Sequence, residues 1–505
     1  MVEGVAGESV GRKTRSGVVW SGLQVVGRNV ISIGTTALLA RLVSPGDYGL
    51  LGMVSTMTAL LLAFSDMGLS WATVQRRDLT EAQVSNLIWI NTVAGLALWG
   101  VCLIAAPWLA AFYNRPELTT AAAVVGAGFL VSGLAAQPMA LLTRRMQFKR
   151  TATVELVSAL CGSVTGVVLA LMGFGWWALI WQSLAAQSLR AIFAFIAARP
   201  PFQMPRRGEG TSSLVRFGGQ IAINGLMIYF ARNLDNVVVG KVWGSAALGY
   251  YGRAYFLMLL PSTLATSVLT NLMVPSLAAF RDDPARLGSA YRRATRLIAF
   301  AGCPMSLGLA LTAPDMVKLI YGDAWAPVVP ILLWLSIAGV TQPIYNTNGW
   351  LFIATGKVNR YLLLTVTNAV VLGATFLLAV SHGAVAVAAG YGLVMGLVLL
   401  WPAMQLSHTA AGIALSQTAR SIVPVAISLL AMALVVLSVH AGARWLELPW
   451  LWRLLLDVTA GVAAYTLTSF VVLRDMWLQD ILPMLPARLG RGIRARLSPS
   501  RAAMP

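Results

Sequence analysis

YFARNLDNVVVG, residues 229–240, places Arg232, Asn233, Asp235 and Asn236 inside a run that otherwise reads as a membrane helix. Whether these four residues break the helix or line something within a bilayer decides the fold. Composition identifies the solvent. Of 505 residues, 58% are apolar and only 11% charged, with a mean hydropathy of +0.74, whereas soluble domains carry about 25% charged residues. The class that remains is an all-α polytopic membrane protein. A formal charge of +19 invites a nucleic-acid reading. The basic residues, however, fall in short clusters between apolar runs, the pattern that sets membrane topology, so no nucleic-acid partner is expected.

A membrane helix needs about 20 mostly apolar residues, and by that measure the chain holds about fourteen spans. They lie near 17–41, 47–69, 84–111, 118–142, 152–173, 176–198, 214–240, 247–277, 293–320, 327–354, 361–381, 384–406, 420–440 and 451–473. Every second connection is basic, for example with Arg144, Arg145, Lys149 and Arg150, or with Arg286, Arg292, Arg293 and Arg296. The tail adds Arg488, Arg491, Arg494 and Arg496, while the alternate connections carry isolated charges such as Arg41, Arg115 and Lys241. Both termini are therefore expected in the cytoplasm. The apolar run after Arg12, Lys13 and Arg15 exceeds the about 7–15 residues of a signal-peptide core, so it reads as a retained first helix.

RPPFQMPRRGEGTSS, residues 199–213, is the clearest linker. A weak repeat flanks it: RLVSPGDYGLLG from Arg41 aligns with KVWGSAALGYYG from Lys241, matching Gly49 to Gly249 and Gly52 to Gly252. Two lobes of six spans follow, 1–205 and 206–415, then a helix pair in 416–473 and a basic tail in 474–505. Parallel halves of this kind are typical of alternating-access transporters. Thr80–Gln83 reads as a capping box, and Asp283 before Pro284 as a helix cap.

A charge at the bilayer centre costs about 2.5–3.5 kcal/mol unless it meets water or a partner. Arg28 lies mid-span with no partner in its own helix and reads as facing a cavity. Arg232 and Asp235 share a helix face, and two readings stand, a neutralised pair or cavity lining. Arg190 is a third candidate cation. Glu155 and Arg216 read as snorkelling, and Arg253 as an interfacial anchor or a functional group. Asn29, Asn224, Asn233 and Asn236 could hydrogen-bond sugar hydroxyls. Asp66 reads as a helix-end cap or, with Asp235, as an ion-coupling carboxylate. A cationic lining suits a phosphate-bearing substrate, because guanidinium grips phosphate through a bidentate fork. Cys102, Cys161 and Cys303 show no disulfide or metal pattern, and His382, His408 and His440 no ligand-like spacing, so neither metal nor cofactor is expected.

FSDMGLSWATVQRRDLTEAQVSNLIWIN, LDNVVVGKVWGSAALGYYGRAY and LPSTLATSVLTNLMVPSLA resemble the polysaccharide-transport branch of the multidrug/oligosaccharidyl-lipid/polysaccharide exporter superfamily. Among its members the colanic-acid and teichuronic-acid exporter-like proteins are similar from about Arg15 to Gly412. The resemblance implies a flippase in the bacterial inner membrane that moves an undecaprenyl-diphosphate-linked oligosaccharide from the cytoplasmic to the periplasmic leaflet. It also implies a polysaccharide polymerase and a chain-length regulator as partners, and a lipid-tail groove formed by the last two spans. Asp66, Asp235 and Arg253 occupy positions that the branch tends to share.

Two rivals can be weighed on residues. A polytopic polymerase, ligase or glycosyltransferase needs a carboxylate or histidine cluster for acid–base work, and none is visible in the sequence. A multidrug antiporter would favour an acidic, aromatic cavity for cations, whereas the intramembrane charge here leans basic. Transport without covalent chemistry is the expectation.

Overall fold

The computed structural model describes residues 2–62, 65, 69–75, 79–201, 203–205 and 212–478. Side chains are described for the same residues apart from 2–19, 71–72, 75, 212–232, 267–272 and 275. The described elements are helical throughout. From the N-terminus they are α1 (Val2–Leu42), α2 (Pro45–Leu62), α3 (Leu69–Gln75), α4 (Glu81–Tyr113), α5 (Glu117–Arg144), α6 (Phe148–Leu171), α7 (Trp177–Ala198) and α8 (Ser212–Ala278). Then follow α9 (Pro284–Leu311), α10 (Ala313–Ile320), α11 (Val328–Ala354), α12 (Val358–Ala379), α13 (Ala384–Leu393), α14 (Leu400–Ala411), α15 (Leu415–Trp445), α16 (Trp450–Val472) and α17 (Arg474–Met476).

Eleven helices among the described residues are long and apolar enough to cross a membrane. The expected fourteen spans add α2, which ends where description breaks off at Leu62, and the two arms of α8. Those arms are separated at Gly244, whose φ of 79° and ψ of −174° are open to glycine and strained for any L-residue. The expected ninth span, 293–320, lies earlier than read: α9 starts at Pro284 and stops at Leu311, and Ala313–Ile320 forms a separate helix.

Local chemistry sets the helix ends. The Thr80 hydroxyl accepts from the Gln83 N–H at 3.1 Å while the Gln83 side chain accepts from the Thr80 N–H at 3.2 Å, the expected capping box. Asp283 Oδ1 accepts from the N–H groups of Ala285 and Arg286, both at 3.1 Å, with Pro284 opening the helix.

The chain divides into two compact units. The first comprises Met1–Phe256, Val317–Trp334 and Leu362–Val394; the second comprises Leu257–Met316, Leu335–Tyr361 and Met395–Pro505. In the first unit α4 packs on α5, α6 on α7, α5 on α7 and α1 on α6. Small residues permit these approaches, because between membrane helices van der Waals contact replaces the hydrophobic drive. A Cβ on Gly133 would lie 2.3 Å from the Asn91 carbonyl oxygen, and one on Gly95 would lie 2.5 Å from that of Phe129. Trp325 anchors the end of α1: it is fully buried, its indole N–H donates to the Ala40 carbonyl at 2.7 Å, and its ring meets Tyr48 edge-on at 5.3 Å.

The repeat glycines meet face to face within this unit. A Cβ on Gly49 would fall 1.6 Å from the Ser245 carbonyl oxygen, and one on Gly249 would fall 2.0 Å from that of Pro45. Helix α2 and the second arm of α8 therefore cross in backbone contact, each supplying the glycine the other requires. In the second unit, α15 packs on α16 and on α9. Buried Tyr291 shares a 2.8 Å hydrogen bond with Thr347, and His408 is held by Thr418 at 2.9 Å and by the Met404 carbonyl at 2.7 Å.

Candidate functional site

Beside the glycine crossing the first unit encloses a cavity of about 210 Å³. Helix α2 contributes Tyr48, Ser55 and Thr56, the first arm of α8 Asn233 and Asn236, and its second arm Arg253. The Arg253 guanidinium stacks on the Tyr48 ring at 4.5 Å and lies 5.6 Å from the Phe256 ring, while its carbonyl accepts from the Tyr321 hydroxyl at 3.3 Å. Stacking fixes the plane of the cation and leaves its N–H edge as the donor face. A second cavity of about 290 Å³ shares Leu51, Ser55 and Ala59 with the first. Its polar groups are Thr58, Ser132, Ser183 and Gln187, with Gln187 Oε1 accepting from Ser132 at 3.0 Å. Together the two offer hydroxyls, amides and one oriented guanidinium, a set that binds polyols and anions.

Asp235 lies behind this lining. It is 2% exposed, and its carboxylate accepts from the Tyr251 hydroxyl at 2.8 Å and from the Asn236 N–H at 2.8 Å. The pairing with Arg232 expected from spacing concerns a side chain outside the described residues, as does the role given to Asn224; what is seen is a tyrosine partner from the other arm of α8.

The other candidates are dispersed. Arg28 is exposed on α1, and among the described residues no carboxylate pairs with it. Asn29 donates to its own helix at Val25, 2.8 Å away. Arg190 on α7 is held by Glu155 on α6 at 2.7 Å, with side chains 37% and 12% exposed, so the carboxylate read as snorkelling has a cation for a partner. Neither Arg28 nor Arg190 lines either cavity. Asp66 lies outside the described residues. Sequence reasoning missed Ser132, Ser183 and Gln187. The signal available was the four-residue spacing of Ser183 and Gln187 on one face of an otherwise apolar span.

The second unit holds a cavity of different character, about 370 Å³, between the α8 end, α9, α15 and α16. Leu260, Met305, Leu309, Met432, Val436 and Val462 dominate its wall, with Asp457 as its one charged member.

A family model described as "Polysaccharide biosynthesis protein" matches residues 38–330. A teichuronic acid biosynthesis protein of Bacillus subtilis is 24% identical over 355 residues, which cover 70% of this chain and 73% of that one. Among solved structures, the lipid II flippase MurJ in an inward closed conformation superposes with a TM-score of 0.73 at 12% identity, over 91% of this chain and 99% of that one. An inward-facing multidrug transporter of the MATE family superposes with a TM-score of 0.62 at 18% identity, over 77% and 96%. The structural likenesses establish a helical fold shared with MurJ and the MATE transporter, and a fold by itself does not choose a function.

Proposed function

Because the chain belongs to the polysaccharide biosynthesis protein family, we propose that it is a flippase that carries a polyprenyl-diphosphate-linked oligosaccharide across the bacterial inner membrane. The observation that supports this reading most is the contrast between its cavities. That of the first unit presents Asn233, Asn236, Ser55, Thr56 and Arg253, donors and acceptors for sugar and phosphate. That of the second unit is walled by aliphatic and methionine side chains, as a polyprenyl chain requires. The family resemblance of the sequence adds undecaprenyl diphosphate as the carrier. A polymerase and a chain-length regulator are the partners that would use the product.

In this proposal the repeat-related lobes 1–205 and 206–415 rock about the substrate, 416–473 supplies the tail groove, and both termini with the 474–505 tail face the cytoplasm. The head group enters from the cytoplasmic side, meets the oriented Arg253 and the asparagines, and leaves outward after the lobes exchange access. Arg28 and Arg232 add positive charge along its route, and Arg190, the third candidate, does so only when it parts from Glu155. No bond is made or broken. Asp66 and Asp235 stay the ion-coupling candidates, with Asp235 already engaged by Tyr251.

Photo-crosslinking tests the tail assignment. A diazirine near the end of an undecaprenyl-diphosphate oligosaccharide should label Met432, Val436 or Tyr465 in the apolar cavity. Labelling confined to α4–α7 would place the tail elsewhere and sink the reading.

A further inference from the structure

Helices α15 and α16 run antiparallel through a short turn, so residues at similar distances from it come together. His440, five residues before the end of α15, and Asp457, seven after the start of α16, are such a pair: His440 Nδ1 lies 2.7 Å from Asp457 Oδ2. The Asp457 side chain is 0% exposed, its second oxygen has no hydrogen-bond partner, and the residue lines the apolar cavity. Asp315, in the first turn of α10, completes the cluster. Its oxygen lies 3.5 Å from Arg453, and the ligand atoms of Asp315, His440 and Asp457 lie within 4.8 Å of one another.

Charge counting identifies the ligand. Two carboxylates face one guanidinium and one imidazole, so with neutral His440 the cluster carries one surplus negative charge. The neighbouring elements do not cancel it. Arg444 and Glu447 are exposed, and Lys318 of α10 is paired with Asp323 at 2.8 Å. His408 is bonded at the opposite end of α15, the arginines of α9 lie in its first half, and Arg474 and Asp475 of α17 follow the far end of α16. One positive charge restores neutrality. A divalent ion would overshoot and would meet Arg453. A proton on His440 balances the cluster and keeps the imidazole–carboxylate hydrogen bond, and the His440 side chain is 24% exposed, five residues from the end of α15.

We propose that His440 with Asp457 is a proton-binding site whose occupancy sets how well the adjoining apolar cavity accepts a polyprenyl chain. With His440 neutral, an uncompensated carboxylate borders hydrocarbon, which is costly. With His440 protonated the cluster sums to zero and the cavity is apolar throughout. The chain as ligand rests on the carrier-lipid reading; the proton site rests on the geometry.

The test uses the full-length protein in micelles and fluorescent undecaprenol as the probe, between about pH 5 and 8. Coupling between two sites in one protein is typically 5–150-fold, so binding should be about tenfold tighter at the acid end. His440→Gln should abolish the pH dependence, and Asp457→Asn should bind tightly at both ends. The chain has 3 histidines, so nitrogen NMR of histidine-labelled wild type provides a second readout if a variant fails to fold. It should show a partly exposed imidazole other than His382 whose signal changes across this range and again on undecaprenol binding. Binding that is independent of pH, or no such titration, overturns the proposal and leaves the carrier reading standing. Absence of undecaprenol binding at every pH overturns both.

Discussion

Gly49→Ala should destabilise the protein, and the structure gives the size of the effect. The added methyl would sit 1.6 Å from the Ser245 carbonyl oxygen and 2.3 Å from its carbon, where real Cβ contacts essentially never fall below 3.0 Å. The obstacle is backbone, so no rotamer change relieves it, and α2 must move off the second arm of α8 by about 1.5 Å. Overpacking costs about 1–3 kcal/mol, and a backbone obstacle puts this site at the upper end. Alanine recovers about 1 kcal/mol of helix propensity, leaving a net loss of about 2 kcal/mol. Gly100→Ala on α4 is the control, because its Cβ would meet nothing within 4 Å, and it should gain up to about 1 kcal/mol. The two variants thus move the thermal unfolding midpoint of the purified protein in opposite directions. Gly249→Ala should repeat the loss. The double variant should lose less than the sum, since one helix separation accommodates both methyls. If Gly49→Ala unfolds at the same midpoint as Gly100→Ala, the crossing is wrong.

Other consequences follow from single partners. Tyr251→Phe strips buried Asp235 of its hydroxyl donor and should cost about 1–3 kcal/mol in thermal or denaturant unfolding; an unchanged midpoint would refute the bond. Glu155→Ala leaves Arg190 without its carboxylate partner within a membrane-spanning helix and should also cost about 1–3 kcal/mol. Exchanging the two residues, Glu155→Arg with Arg190→Glu, should restore most of it. Arg253→Lys keeps the charge but loses the planar stack on Tyr48, so head-group affinity should fall severalfold while folding is retained; equal affinity would remove Arg253 from the site.

What the sequence made legible divides by the range of the contact. The caps at Thr80 and Asp283 depend on neighbours within three residues, and both formed as read. The repeat pointed to Gly49 and Gly249, although not to their meeting, because alignment finds equivalent positions and says nothing of which surfaces touch. Contacts across helices were invisible. Spacing within one helix suggested Arg232 for Asp235, yet the described partner is Tyr251, brought back by the break at Gly244. Glu155 and Arg190 lie on successive helices with no periodicity to join them. His440 and Asp457 carried a usable signal, similar distances from the turn before Trp450, which a search for metal-type spacing passes over. The cavity hydroxyls Ser132 and Ser183 looked like ordinary small residues of packed spans until their partners were placed.

The most direct test of the central claim is leaflet translocation in proteoliposomes of a fluorescent undecaprenyl-diphosphate oligosaccharide, with wild type beside Arg28→Ala, Arg232→Ala and Arg253→Ala. Wild type should move the lipid to the outer leaflet, with the arginine variants folded but slowed about tenfold or more, as expected when a phosphate-binding guanidinium is lost. Wild type that leaves such lipids in place while expelling cationic drugs would contradict the account and assign the fold to multidrug transport.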